Sequence, residues 1–208
     1  GYGTGAITIT GGSGNDTATL GTSLTGTNGD VIDLGAGTDT LKLSAATNAF
    51  VTSTTAGDVT VSNVENLHLT IAAASDAIDF DVFSAPAFDK VQVLSQLAAA
   101  NITLTDTQSS VFELTNTNNA TANDVNAMTI DLKDSTGTAD AVTLTLKNVD
   151  IDGSMTLATL TAAGVETLNL TADAKVIAGT PGDMAITNLT ATALKTVNID
   201  GDADLTLP

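Results

Sequence analysis

A glycine–aspartate period of nine residues near the amino terminus constrains this chain more than any other feature. Gly11, Gly12, Gly14 and Asp16 stand in GGSGNDTAT (11–19), and Gly35, Gly37 and Asp39 recur in LGAGTDTLK (34–42). Between them, TGTNGDVID (25–33) keeps Gly26, Asp30 and Ile32, with Asn28 in place of a turn glycine. Asparagine is a conservative change there, because it also visits the left-handed region of backbone space. A fourth unit, YGTGAITIT (2–10), keeps Gly3, Gly5 and Ile9 but has Ile7 where the others have aspartate. The units tile residues 2–42, with LGTSL (20–24) as the only insertion. Each reads as a six-residue turn followed by a short strand. Glycine permits positive φ and lets neighbouring backbones approach. One such unit buries little alone, so the units must stack, each turning its apolar strand residue into a thin core.

A second pattern runs through the remainder. VENLHLT (64–70) and VETLNLT (165–171) are nearly the same string, and FDKVQVL (88–94) and LKTVNID (194–200) fit the same template. AVTLTLK (141–147) keeps the alternation of its second half. Alternation of this kind marks half-buried strands, with Val64, Leu67, Leu69, Val165, Leu168 and Leu170 on the core side. The copies at 64 and 88 start 24 residues apart and those at 165 and 194 start 29 apart, spacings that suit the coils of a solenoid. Further strands are predicted at Val59–Val61, Ile102–Leu104, Met128–Leu132, Met155–Leu157 and Leu205–Leu207. Pro86, Pro181 and Pro208 lie outside all these runs, as ladders require. The only predicted helical turn is Leu94–Ala100. The expected fold is all-β: a parallel β-roll over 1–43 that continues into an elongated β-solenoid or β-helix over 44–208. The Thr/Ala-rich stretch 44–58 is the expected joint.

Composition narrows the functional classes. Aromatic residues make up 3% of the chain and Trp is absent, so the core must be built from Val, Leu, Ile, Ala and Thr in thin layers. The 24 acidic residues outnumber 6 bases, for a net charge of −18. That excludes a conventional nucleic-acid binder and argues against direct docking on anionic lipid. A chain this acidic repels itself unless cations compensate. Cysteine is absent, so disulfides cannot brace the fold. The turn carbonyls and carboxylates are hard oxygen donors of the type Ca²⁺ prefers. Gly11, Gly12, Gly14, Asp16, Gly26, Asn28, Asp30, Gly35, Gly37 and Asp39 are therefore the candidate metal-binding positions. The groups Asp76/Asp79/Asp81, Asp150/Asp152 and Asp200/Asp202/Asp204 read more simply as solvated turns. Glu65 and Glu166, at matching places in the two V-E-x-L strings, are expected to keep strand edges soluble.

No catalytic constellation is visible. His68 is the single histidine and alternates with Leu67 and Leu69, which puts it on the solvent side of a strand. Paired carboxylates could hydrolyse glycosides, but the chain lacks the aromatic platforms such clefts use. No enzymatic activity, targeting segment or membrane-spanning run is expected. The chain starts at Gly1 without an initiator Met and reads as a fragment or a processed product.

The nonapeptides resemble the RTX calcium-binding repeats of bacterial type I-secreted proteins, over roughly the first fifth of the chain. The resemblance implies two nonapeptides per coil and ions held between turns stacked on the same edge. Turn 11–16 should then face turn 34–39, with Asp16 and Asp39 sharing a Ca²⁺ site. Turn 25–30 should face turn 2–7, where Ile7 supplies no carboxylate, so that site is weaker or missing. The Thr/Ala/Asp/Gly-rich, Cys-free composition and the V-E-x-L-x-L-T strands also resemble calcium-dependent bacterial surface-layer (S-layer) proteins of the Caulobacter type. That likeness implies secretion to the extracellular cell surface and self-assembly of copies into a two-dimensional lattice. It implies neither nucleic-acid partners nor direct membrane insertion; a cell-surface glycan anchor would lie in regions outside this chain. Two alternatives stand beside it: a stalk or ligand-binding segment of a large RTX adhesin, and the non-catalytic RTX region of a secreted enzyme. The adhesin reading draws on the 101-residue separation of VENLHLT and VETLNLT, the size of an immunoglobulin-like module.

Overall fold

The computed structural model describes residues 5–20, 24, 29–44, 50–51, 55–71, 73–84, 88–97, 99–117, 124–149, 153–177 and 179–208. Strands alternate between two facing sheets as the chain advances. The first sheet has eight parallel strands: β2 (Thr17–Leu20), β4 (Thr40–Ser44), β6 (Asn66–Thr70), β8 (Lys90–Ser95), β10 (Val111–Asn116), β12 (Ala141–Asn148), β14 (Thr167–Ala174) and β18 (Thr196–Gly201). The opposite face begins with β1 (Thr8–Thr10), β3 (Val31–Asp33) and β5 (Thr60–Ser62). It continues as a separate six-stranded sheet of β7 (Ser75–Asp79), β9 (Ala100–Thr107), β11 (Val125–Leu132), β13 (Met155–Thr161), β17 (Met184–Thr190) and β19 (Leu205–Thr206). A small antiparallel pair, β15 (Val176–Ile177) and β16 (Thr180–Pro181), interrupts the alternation. The protein is thus a parallel β-solenoid. Eight rungs at the usual 4.7–4.9 Å spacing give the first sheet a stack about 34 Å long.

The alternating pattern explains the stacking. Ala18, Leu41, Leu67, Val91, Phe112, Leu144 and Leu170 lie in register along the inner side of the first sheet, one per rung. A second stack joins Leu20, Leu43, Leu69, Val93, Leu114, Leu146 and Ala172. All are buried, while the intervening Thr, Lys, His and Asn residues face outward. The sequence spacings reappear as coil lengths: Asn66 pairs with Lys90 and Thr167 with Thr196. VENLHLT and VETLNLT supply β6 and β14, two rungs of the same sheet. Their 101-residue separation is therefore several coils, not the length of an independent module.

One expectation changes. Leu94–Ala100 is not helical: β8 runs through Ser95 and β9 begins at Ala100. The inward alternation of Val91, Val93 and Ser95 continues the ladder past Leu94, so tertiary pairing overrides local helix propensity. The helical turn among the described residues is instead the 3₁₀ segment Phe80–Val82. It sits where the second face changes from one sheet to the next. Phe80, Phe83 and Phe88 pack edge-to-face there, with ring centroids 5.6–6.2 Å apart, and plug the core at the break. The first sheet runs without interruption from β2 to β18, passing over the expected joint at 44–58. Residues 45–49 and 52–54 of that stretch lie outside the described residues.

Candidate metal centre

Turn 11–16 leads into β2 and turn 34–39 into β4, and the pairing of Thr17 with Thr40 sets one turn directly over the other. The stack is tied by backbone and side-chain bonds. The Gly11 amide donates to the Asp33 carbonyl at 2.7 Å and the Ala36 amide to the Gly12 carbonyl at 2.9 Å. The Thr38 amide donates to Asn15 Oδ1 at 3.0 Å, and the Asp16 amide to Asp39 Oδ1 at 2.7 Å. Within the lower turn, Asp16 Oδ2 accepts from the Gly12 amide at 2.7 Å.

Glycine is required where the rungs touch. A Cβ on Gly35, whose φ is +89°, would lie 2.0 Å from the Gly12 carbonyl oxygen. On Gly37, at φ +148°, it would lie 2.5 Å from the Gly14 carbonyl oxygen. Gly14 itself has open space around the same position. The turns therefore pack backbone on backbone, with the carboxylates of Asp16 and Asp39 bonded to turn amides.

On the opposite edge, Asp30 Oδ1 accepts from the Ile7 amide at 2.8 Å, one rung below. The described ends of the two turns, residues 29–30 and 5–7, face one another there. Gly26 and Asn28 lie outside the described residues. Asp30 and Asp39 are both fully buried (0% exposed), and Oδ2 of each has no hydrogen-bond partner. A buried carboxylate oxygen without a donor is costly, and a hard cation between the turns would offset that cost. The donor set fits Ca²⁺: oxygens only, from carboxylates and turn carbonyls.

The two glutamates do more than keep edges soluble. Glu65 Oε2 accepts from the Asp39 amide at 2.7 Å, and Glu166 Oε2 from the Asp140 amide at 2.9 Å. Each carboxylate reaches back to the amide of the preceding coil, as Asp39 does to Asp16 and Asp30 to Ile7. An acid just before the strand thus stitches one rung to the next. The shared V-E string carried that signal, but the partner lies 26 residues back and is invisible to a local reading.

The outlying aspartates separate by face. Asp76 points inward, is buried, and accepts from the Ala73 amide. Asp79 and Asp81 stay outside and are joined by Asp106 from the next coil; ligand oxygens of these three lie within 4.8 Å of one another. Asp106 sits at a bulge between β9 and β11, with φ +54°. Burial, then the charges of Asp81, Asp79 and Asp131, push its carboxyl above the ordinary range. Lys133 pairs with Asp81 and partly neutralises the group. Asp202 accepts from the Ala174 amide and Asp200 from the Gly201 amide. Among the described residues, Asp200, Asp202 and Asp204 do not form a three-carboxylate cluster. Asp150 and Asp152 lie outside the described residues. His68 is half-buried on the outer side of β6, in register with Lys42 and Gln92. Burial and then Lys42 lower its pKa, keeping the ring neutral near neutral pH.

Comparison with protein-family models, curated proteins and solved structures finds no match to this chain.

Proposed function

We propose that the chain is a calcium-dependent structural segment of a secreted bacterial cell-surface layer. In this reading its solenoid condenses outside the cell and its copies assemble into a two-dimensional lattice. The observation that carries the reading is the stacked pair of Gly/Asp turns, with the buried, unpartnered Asp39 Oδ2 between rungs in a chain of net charge −18. Asp16 and Asp39, with the carbonyls of turns 11–16 and 34–39, would hold one ion. On the opposite edge, where Ile7 supplies no carboxylate, Asp30 alone would make at most a weaker second site.

The mechanism is coupled folding. Without a cation the carboxylates repel and the turns open. When Ca²⁺ binds, it favours the closed stack by mass action. Extracellular calcium modules bind with Kd on the order of 10⁻⁴ to 10⁻³ M. At 10 mM Ca²⁺ each such site would add about 1.4–2.7 kcal/mol. The parallel solenoid fits a lattice or rod element better than a string of immunoglobulin-like modules, whose sheets are antiparallel. The test is a Ca²⁺ titration of chelated protein followed by circular dichroism, thermal melting and sedimentation. The reading expects a calcium-dependent rise in Tm followed by assembly. A chelated protein that is fully folded and gains nothing from calcium would reject it.

A further inference from the structure

The residues just before the strands of the eight-stranded sheet stack along one edge of the solenoid. In the amino-terminal coils that column is acidic throughout. Asp16, Asp39, Glu65 and Asp89 precede β2, β4, β6 and β8, whose first residues stand in register. At the rung spacing of about 4.8 Å neighbouring carboxylates repel one another. Among the described residues, Lys90, Lys133 and Lys147 pair with Glu113, Asp81 and Asp173, none of them in the column. Ser110, before β10, ends this run. A second column precedes β12, β14 and β18 and reads Asp140, Glu166, Lys195. Its first two members repeat Asp39 and Glu65 at a distance of 101 residues. Glu166 bonds the Asp140 amide as Glu65 bonds that of Asp39, across a coil of 26 residues in both cases. Asp140 Oδ2, like Asp39 Oδ2, is buried without a hydrogen-bond partner. The third member differs, Asp89 in one column and Lys195 in the other. Lys195 Nζ lies 3.8 Å from Glu166 Oε1 and donates to the Thr138 carbonyl at 3.4 Å, so it spans the two coils below it.

We propose that Lys195 is the built-in counter-ion of the second column, so that only the amino-terminal coils depend on an external cation. The inference rests on the calcium reading and states where along the solenoid that dependence ends. Its basis is the contrast between two otherwise matching columns. The first holds four successive acids and no base. The second holds two acids, closed by an ammonium that reaches both the Glu166 carboxylate and a carbonyl of turn 134–140. Glu166 is 7% exposed, so its charge is less screened by water and salt than a surface carboxylate. In a solenoid each coil contacts only its neighbours, so stability can differ along the stack. Without calcium the coils of β2, β4, β6 and β8 loosen, while those of β12, β14 and β18 stay closed. The closed coils then give the loosened ones a preformed stack on which to return when calcium binds.

The experiment is amide hydrogen exchange of the whole chain, in chelator and in saturating calcium, with circular dichroism to verify the fold of each variant. In chelator the amides of Asp16, Ala36 and Asp39 should exchange fast, and calcium should slow them. Those of Asp140, Thr167 and Thr196 should exchange slowly in both. Lys195→Met keeps the alkyl stem and removes the ammonium. It should speed exchange at the Asp140 amide in chelator by about fivefold. Lys195→Arg should restore the wild-type rate. Lys175→Met, at an exposed lysine outside the column, is the control and should leave it unchanged. Three outcomes overturn the proposal: chelated wild type in which the Asp140 and Thr196 amides open together with those of Asp16 and Ala36, Lys195→Met that exchanges like the control, or Lys195→Arg that exchanges like Lys195→Met. Slow exchange at Asp16 and Ala36 in chelator, unchanged by calcium, defeats the calcium reading itself. A calcium response at Asp16 and Ala36 with no effect of Lys195→Met defeats only the role given to Lys195.

Discussion

Replacing Gly35 by alanine tests the stacked turns directly. The new Cβ would sit 2.0 Å from the Gly12 carbonyl oxygen and 3.0 Å from its carbon, both backbone atoms that cannot rotate away. The φ of +89° adds a left-handed penalty of about 1–2 kcal/mol for a residue with a side chain. Relieving the contact means lifting turn 34–39 off turn 11–16, which breaks the bond from the Ala36 amide to the Gly12 carbonyl. That loss costs about 0.5–1.5 kcal/mol. The total, about 1.5–3.5 kcal/mol, is a large share of the roughly 5–15 kcal/mol that holds a domain folded. Gly14→Ala is the matched comparison. It is also a motif glycine, but its Cβ would meet nothing within 4 Å and its φ is not in the left-handed range. Its effect should stay within about 1 kcal/mol. Urea unfolding at fixed calcium, read as the shift in midpoint at constant slope, measures both variants. Hydrogen exchange at the Ala36 amide reports the local opening. If Gly35→Ala proves no worse than Gly14→Ala, the two turns do not stack in this register.

Other perturbations probe separate links. Asp39→Asn keeps an oxygen to accept from Asp16 but removes the buried charge. In chelator it should be at least as stable as wild type, and it should lose most of the calcium-induced rise in Tm measured by scanning calorimetry. Glu65→Ala leaves the Asp39 amide without its acceptor, and Glu166→Ala does the same to the Asp140 amide. Each should cost about 1–3 kcal/mol in urea unfolding. Leu69→Ala opens the inner stack between Leu43 and Val93 and should cost about 2–5 kcal/mol. Asp106 has a raised pKa in the folded protein, so its stabilising influence belongs to the protonated form and is lost as pH rises through that value. Asp106→Asn should therefore melt higher than wild type at pH 7, by about 0.5 kcal/mol or less. The gap should close as pH falls below the ordinary aspartate range, where both forms are neutral.

Much of the architecture was legible in the residues. The likeness to RTX repeats, which implies two nonapeptides per coil, together with the LGTSL insertion places turn 11–16 beneath turn 34–39, and the pairing of Thr17 with Thr40 has that offset. The alternation in VENLHLT and VETLNLT told inner from outer positions, and the 24- and 29-residue spacings proved to be coil lengths. The Leu94–Ala100 turn was misread because a short apolar run carries no mark of the ladder bonds that extend it. Glu65 and Glu166 were undervalued for a related reason: each acts on the coil behind it.

The sequence by itself determined that the chain must form rungs and which strand side chains point inward. Those properties follow from periods of two and nine residues, which any stretch displays without reference to the rest. The tertiary structure alone decided which acids meet. Asp106 joins Asp79 and Asp81 because a bulge and a coil of 26 residues bring it there, while Asp76, only three residues from Asp79, turns into the core. Coil lengths vary from rung to rung, from the 21 residues between Val91 and Phe112 to the 32 between Val111 and Thr143. The neighbour of a given side chain is therefore set by the length of the turn between strands. Side-chain alternation records only the face of the sheet, whereas contact across rungs depends on how far the backbone travels before it returns.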